Sequence, residues 1–469
     1  MNSSRKSSIR IAFVAIFGLL SHVSRRLGLG ARVTKWGRRL LLGGATVATA
    51  GLLLHAFLSH RSAVEVEALL QGIRAAHEPV TPADAAPPRV PDAANAAPLY
   101  QRAFALRVAE PDDADGFWKA VDELDAKGTL DRSLLEPYLL RNAECAARAA
   151  EAVRLPRCQF PVDYSQGYTT EMPHLLPIKE ITRILSLRAK ADAAAGRADE
   201  AVANLDVAFR WSRGLDGDAY IIVGLVRIAC DGISETEVSS VLSKCEPSEP
   251  ACRSLLATIE ATAPPSDAFL KSLIVERAIG IEGFQRIRSG ELKLEQILGN
   301  IELSRARFYT LSSWLVDRDE CEYLRGMGRL IEAARKTDPR EFRAAVSTAP
   351  GEVPATCVLA ADLLPSFARC ATKTVAALAA RDLARLVLAL RIHRLEKGSY
   401  PETLDALAPA ILPSVPQDPF AGKAFRYERE GAGFKVWSVG PNGKDEHGSN
   451  ANREGREGSE DDIGFKVTR

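Results

Sequence analysis

The chain has 469 residues, 46% hydrophobic and 26% charged, which sets aside a disordered chain, a collagen-like fibre and a polytopic membrane protein. Its 61 Lys and Arg balance 60 Asp and Glu, so the overall charge gives no footprint for nucleic acid. That balance hides a split. Residues 1–39 carry nine basic and no acidic residues, which leaves 52 basic against 60 acidic, net −8, in the rest.

The first apolar stretch, Ile11–Leu20, follows Arg5, Lys6 and Arg10. It is shorter than a membrane span and no small-x-small cleavage site follows it, so it reads as an interfacial segment rather than a signal-peptide core. Leu40–Leu58 is different: 19 residues without a formal charge, directly behind Arg38 and Arg39. At ~1.5 Å per residue such a helix nearly crosses a ~30 Å hydrocarbon core. The positive-inside rule then places residues 1–39 in the cytoplasm and residues 59–469 outside. The expected first partner is therefore a lipid bilayer, met through residues 40–58.

Ser62–Ala76 continues as an amphipathic helix with Val66, Leu69, Leu70 and Ile73 on one side. Pro79–Pro98 holds six prolines among alanines and reads as an extended tether, residues 59–98 forming one linking region. Residues 99–370 read as almost wholly helical. Leu185–Ala195, the turn Gly196-Arg197 and Ala198–Arg213 form a hairpin, near 180–213, that resembles the second half of a tetratricopeptide repeat. Ala189, Ala201 and Ala208 are the small residues that let such helices cross closely. No second copy follows 34 residues on, so the pattern gives one degenerate unit of a helical array. Further helices are expected near 217–244, 250–261, 265–289, 292–316 and 318–336. The first of these carries an apolar run, Ile221–Ile228, interrupted by Arg227, and reads as a buried central helix.

Eight cysteines, all beyond residue 140, fit an oxidising compartment, and no CxxC occurs. Local disulfides Cys145/Cys158, Cys245/Cys252 and Cys357/Cys370 compete with buried free thiols in helices.

From Ala371 the pattern changes. A helix carrying Leu383, Leu386, Val387 and Leu390 ends at Gly398, and a short helix begins at Pro401. Phe425 and Tyr427, then Phe434, Val436 and Ser438, alternate as two strands around Gly431-Ala432-Gly433. A polar glycine-rich loop, Gly440–Glu460, leads to a last strand over Asp461–Val467.

The ordered pieces Gly398-Ser399-Tyr400-Pro401, Gln417-Asp418-Pro419-Phe420, Ser438-Val439-Gly440-Pro441-Asn442-Gly443 and Asp461-Asp462-Ile463 resemble the globular domain of the major pseudopilin of type II secretion systems. The resemblance covers about 90 residues. It implies a small α+β module over 371–469 and a calcium ion at the loop before the last strand. By position Asn442, Asp461 and Asp462 match the family's calcium ligands, with Val439 as a carbonyl donor. Asn442 stands where the family has an aspartate, and Asp445 or Glu446 replaces its charge. The anchor lacks the family's glutamate behind the leader site, and about 310 residues separate it from the module. The resemblance therefore speaks for the module's fold and not for membership in the fibre. The whole chain also resembles bacterial envelope proteins that join an anchor and a helical region to this module.

The fold expected is mainly α: an N-terminal transmembrane helix, an α-helical, repeat-like periplasmic domain, and the α+β module. HExxH, GxSxG, Walker A and GxGxxG motifs are absent from the sequence. Asp163-Tyr164-Ser165 with Glu171 and His174 forms the sharpest candidate for a hydrolytic cluster. The function expected is a binding or scaffold protein of the inner membrane and periplasm, accessory to a secretion or pilus-type machine. A periplasmic hydrolase and a passive envelope tether are the alternatives.

Overall fold

The computed structural model describes residues 35–108, 116–119, 121, 132–298, 309, 312–448 and 462–469. Residues 1–34, with the Ile11–Leu20 segment, and Asp461 lie outside them. The chain divides into two compact units, Met1–Val64 and Glu65–Arg469.

In the first unit the described structure is helical. It belongs to α1 (Lys35–Ala75), in which Val47, Leu52, Leu53, Leu54 and Phe57 are all exposed. Among the described residues no helix is long and apolar enough to cross a membrane. The physical reason lies in the part of the expected span whose side chains are described, Gly43–Leu58. There Gly43, Gly44, Gly51, Thr46, Thr49 and His55 dilute the leucines.

The second unit is mainly helical. Its start uses the apolar side expected for 62–76: Val66 and Leu70 are buried, and Leu69 and Ile73 pack at the edge of the same core. The proline-rich stretch 79–98 is not a free tether. Glu78 pairs with Arg277 at 2.7 Å and with Arg335, Val90 donates its N–H to Gln159, and Asn95 bonds Gln159 main-chain groups in both directions. Buried main chain beyond a proline needs partners, and Asn95 and Gln159 supply them.

α2 (Ala97–Leu106) packs on α4 (Ala143–Ala152), which follows α3 (Arg132–Arg141). Alanines 146, 149 and 152 with Cys145 make a small-residue face on α4, so the two helices approach closely. α5 (Leu175–Ala194) and α6 (Ala198–Ser212) form the hairpin. Gly196 turns between them at φ +75°, a conformation that costs glycine nothing. Ala189, Ala201 and Ala208 are fully buried in it, and Trp211 donates its indole N–H to the Ile178 carbonyl at 3.1 Å.

α7 (Ile221–Lys244) packs against α5 and α6. Its apolar run is only partly covered, with Ile222 exposed, and Arg227 is buried against Asp216 and Asp231. α8 (Glu249–Glu260) starts from a Ser248 cap, and α9 (Pro265–Ser289) starts from a proline. α10 (Leu294–Leu298), α11 (Ser313–Ala334) and α12 (Pro339–Thr348) follow.

α13 (Val358–Lys397) is the axis of the unit. It packs against α7, α8, α9, α11 and α12 and against two of the strands. Residues Leu383, Ala384 and Leu386 to Ile392 are all without solvent contact. A stretch buried on every side, with Arg391 among its residues, is one surrounded by protein. It runs unbroken past residues 370 and 371 to Gly398, φ +82°. β1 (Arg426–Glu430), β2 (Gly433–Ser438) and β3 (Ile463–Val467) form an antiparallel meander, with Tyr427 opposite Val436 and Val436 opposite Phe465. Phe434, Val436, Phe465 and Val467 belong to the same core as α13.

The local disulfides do not form. All eight cysteines are free, and seven are buried. Burial pushes the thiols up, to about 11 at Cys145 and Cys357 and about 12 at Cys230, Cys252 and Cys321. They act as small apolar packing groups and stay protonated.

Candidate functional site

Two of the pieces of sequence that carry the pseudopilin resemblance, Gln417–Phe420 and Ser438–Gly443, meet at one carboxylate. Asp418 is 1% exposed. It accepts from the Phe420 N–H at 2.9 Å, the Ser438 hydroxyl at 2.7 Å and the Val439 N–H at 3.0 Å. Its own main chain closes a turn, donating to the Lys423 carbonyl and accepting from Gly422. One side chain thus ties the 416–423 turns to the end of β2. Sequence reasoning had both motifs and missed the bond between them.

The loop beyond β2 holds most of the expected calcium ligands. Asn442 donates its amide to Glu446 at 2.8 Å and accepts from the Lys444 N–H at 2.7 Å. Asp462 is buried and accepts from the Glu446 and Gly448 N–H groups at 2.9 and 2.7 Å. One Asp462 oxygen, Oδ1, and one Glu446 oxygen, Oε2, are buried without a partner. Burial together with the neighbouring Glu446 pushes the Asp462 carboxyl up to about 6. Two half-satisfied carboxylates side by side are the arrangement a cation relieves.

Asp445 points elsewhere. The Trp437 indole and the Arg426 guanidinium each donate to it at 2.9 Å, and they hold its carboxyl below the usual range. Val439 is buried with its N–H on Asp418. The charge that accompanies Asp462 is Glu446 and not Asp445. Among the described residues no three His, Cys, Asp or Glu side chains form a group that could hold a metal ion. Asp461 is outside those residues.

The hydrolytic cluster does not assemble. Asp163 is exposed and spends its carboxylate on Ser165 and Gln166 of its own turn. Glu171 is exposed. His174 is buried, stacked on Phe160 at 4.2 Å, with Nε2 at 3.2 Å from the buried Asp218 carboxylate. Asp218 is the histidine's true partner, 44 residues away in sequence and unmarked by any motif.

The helical region instead presents an open groove of about 550 Å³ between α3, α5 and α6. Leu139, Leu140, Ala191 and Ala203 supply its apolar lining. On its polar side Arg197 pairs with Asp192, and Asn204 donates to Asp192 at 2.8 Å. Leu140 stands two-thirds exposed, at 66%, on its rim. The groove has the lining of a docking surface and no nucleophile oriented by a base.

No family model, no curated protein and no solved structure matches this chain.

Proposed function

We propose that the protein is a membrane-anchored binding or scaffold protein of the bacterial envelope. Its helical region and α+β module stand in the periplasm, where they serve a secretion or pilus-type assembly. The observation that carries this reading is the apolar surface around α1, where Val47, Leu52, Leu53, Leu54 and Phe57 are exposed to between 54% and 73%. Five large apolar side chains left uncovered on one helix ask for lipid. The sequence adds Leu40, Leu41 and Leu42 before them and Arg38 and Arg39 at the cytoplasmic edge. Together, Leu40–Leu58 is the anchor of this reading.

The test is fractionation of cells expressing the full chain. The wild type stays in the carbonate-washed membrane pellet. Leu53→Arg with Leu54→Arg, each costing roughly 2.5–3.5 kcal/mol at mid-bilayer on the insertion scale, moves it to the soluble fraction. A wild type that washes off with carbonate removes the anchor. Crosslinking in native membranes through Lys423, Lys435 or Lys444 then identifies the protein partner. Self-crosslinks alone, at good yield, remove the link to a secretion machine.

In this reading the loop of the module binds calcium through Asp462, Glu446 and Asn442. The Val439 carbonyl and Asp461 complete the set that the pseudopilin resemblance implies. Ca²⁺ takes six to eight oxygens, and the orphaned Asp462 and Glu446 oxygens are the first two. Calorimetry on the chelator-stripped protein should show calcium uptake that falls at least tenfold in Glu446→Gln. Uptake should also weaken as pH drops below about 6, where Asp462 takes up a proton. Absence of calcium heat up to millimolar concentration removes the metal.

A further inference from the structure

We propose a second site, at the far end of the α5–α6 hairpin from Gly196: a pocket for a phosphate-type oxyanion. It is a space of about 150 Å³ walled by the turn that follows α4 and by the end of α6, with Tyr100 in its lining. Four arginines line it, Arg154, Arg157, Arg210 and Arg213, and no carboxylate does.

Arg210 is committed, to Asp206 at 2.9 Å and to Thr258 at 3.1 Å. The guanidinium groups of the other three have no hydrogen-bond or ion-pair partner among the described residues. The neighbouring acids face other groups: Glu151 bonds Arg148, Asp216 bonds Arg227, and Asp218 lies 3.2 Å from His174 Nε2. The C-termini of α4 and α6 end nearby and carry about half a negative charge each, less than three guanidinium groups supply. A positive concavity remains.

The pocket is built rather than incidental. Its wall is strapped in place: the Arg157 carbonyl accepts from Ala96, and the Asn95 side chain bonds the next-but-one residue, Gln159, through both main-chain groups. Its floor is close-packed. A Cβ on Gly214 would fall 2.4 Å from the Tyr100 ring, so only glycine lets α6 end there. Tyr100 in turn is stacked on Trp211 at 4.0 Å. Three arginines around a rigid space of this size match one tetrahedral oxyanion, which guanidinium forks bind by paired N–H donors. Cys158 shares the lining, but burial pushes its thiol far up, so it offers shape and no nucleophile.

The test is titration calorimetry on the full chain at pH 7.5, with inorganic phosphate in one arm and glycerol 3-phosphate in the other. Chloride at matched ionic strength is the control. Arg154 and Arg157 are exposed, so Arg154→Ala with Arg157→Ala should leave the unliganded melting temperature unchanged. In that variant phosphate affinity should fall at least tenfold. Tighter binding of inorganic phosphate assigns the site to the free anion, and tighter binding of glycerol 3-phosphate assigns it to an esterified phosphoryl group. Three results overturn the proposal: no heat with either anion at millimolar concentration, heat that chloride reproduces, or unchanged affinity in the double variant. None depends on whether α1 enters a membrane.

Discussion

Asp319→Ala should cost the fold about 3 kcal/mol, read as a lower urea midpoint at pH 7 with an unchanged slope. Asp319 has no solvent contact. Its carboxylate accepts from the Leu359 and Ala360 N–H groups at 2.8 and 2.9 Å and from the Tyr309 hydroxyl at 2.6 Å. Leu359 and Ala360 open α13, so a side chain of α11 caps the axial helix of the unit. Truncation leaves three buried donors unmet and a cavity beside them.

The pH dependence has a definite sign. Burial outweighs the three hydrogen bonds and pushes the Asp319 carboxyl up to about 6. Glu276, whose carboxylate accepts from the Ile221 N–H at the start of α7, is pushed up to about 7, also by burial. A carboxyl raised in the folded state binds more protons there than in the unfolded chain. Its contribution is complete below pH 4 and is lost as pH rises through 6 to 7. Stability should therefore fall across that window, by on the order of 2–3 kcal/mol for each group. Asp319→Asn should flatten the slope between pH 4 and 6 while keeping the shape. Equal slopes in both proteins would show that the charge is held some other way.

Local rules made part of this fold legible. The hairpin followed from Gly196 and the spacing of Ala201, Leu205 and Ala208, all of which are buried. Three strands and the end of α13 followed from period-two alternation and Gly398. What stayed hidden are pairings across distance. Asp317, Asp319 and Glu320 look like the charged face of a surface helix, yet all three are buried, two of them paired with Arg288. No periodicity marks an acid that will cap a helix forty residues later. The same reason hid Asp218 from His174, and Arg210 and Arg213 from the turn after α4. The proline-rich stretch misled because composition reports stiffness and not docking, and Asn95 decided the docking. The cysteines left local disulfides and buried free thiols both open because spacing in sequence carries no geometry, and the eight thiols are free.

The second large effect belongs to Asp418. Asp418→Ala should destabilise the module by about 3 kcal/mol, since its three acceptor bonds are all buried and two of them serve main-chain N–H groups. Trp437 follows the damage, because it precedes Ser438 in β2 and sits against the loop through Asp445. Its fluorescence should shift red in the variant under native conditions. The sharper test is a cycle with Ser438. Ser438→Ala alone should cost about 1 kcal/mol, the worth of one charge-assisted hydroxyl bond. In the Asp418→Ala background the same change should cost almost nothing, because the partner has already gone. Additive costs would mean that Ser438 serves the Gly440 N–H, to which it is also bonded at 3.2 Å, and not the carboxylate. The consequence extends to the loop. Asp418 fixes Val439 and so sets where Asn442 begins. If the loop binds calcium, Asp418→Ala should weaken that binding through the position of Val439, although Asp418 is not itself a ligand, whereas Asp445→Ala, which frees Trp437 and Arg426, should weaken it less.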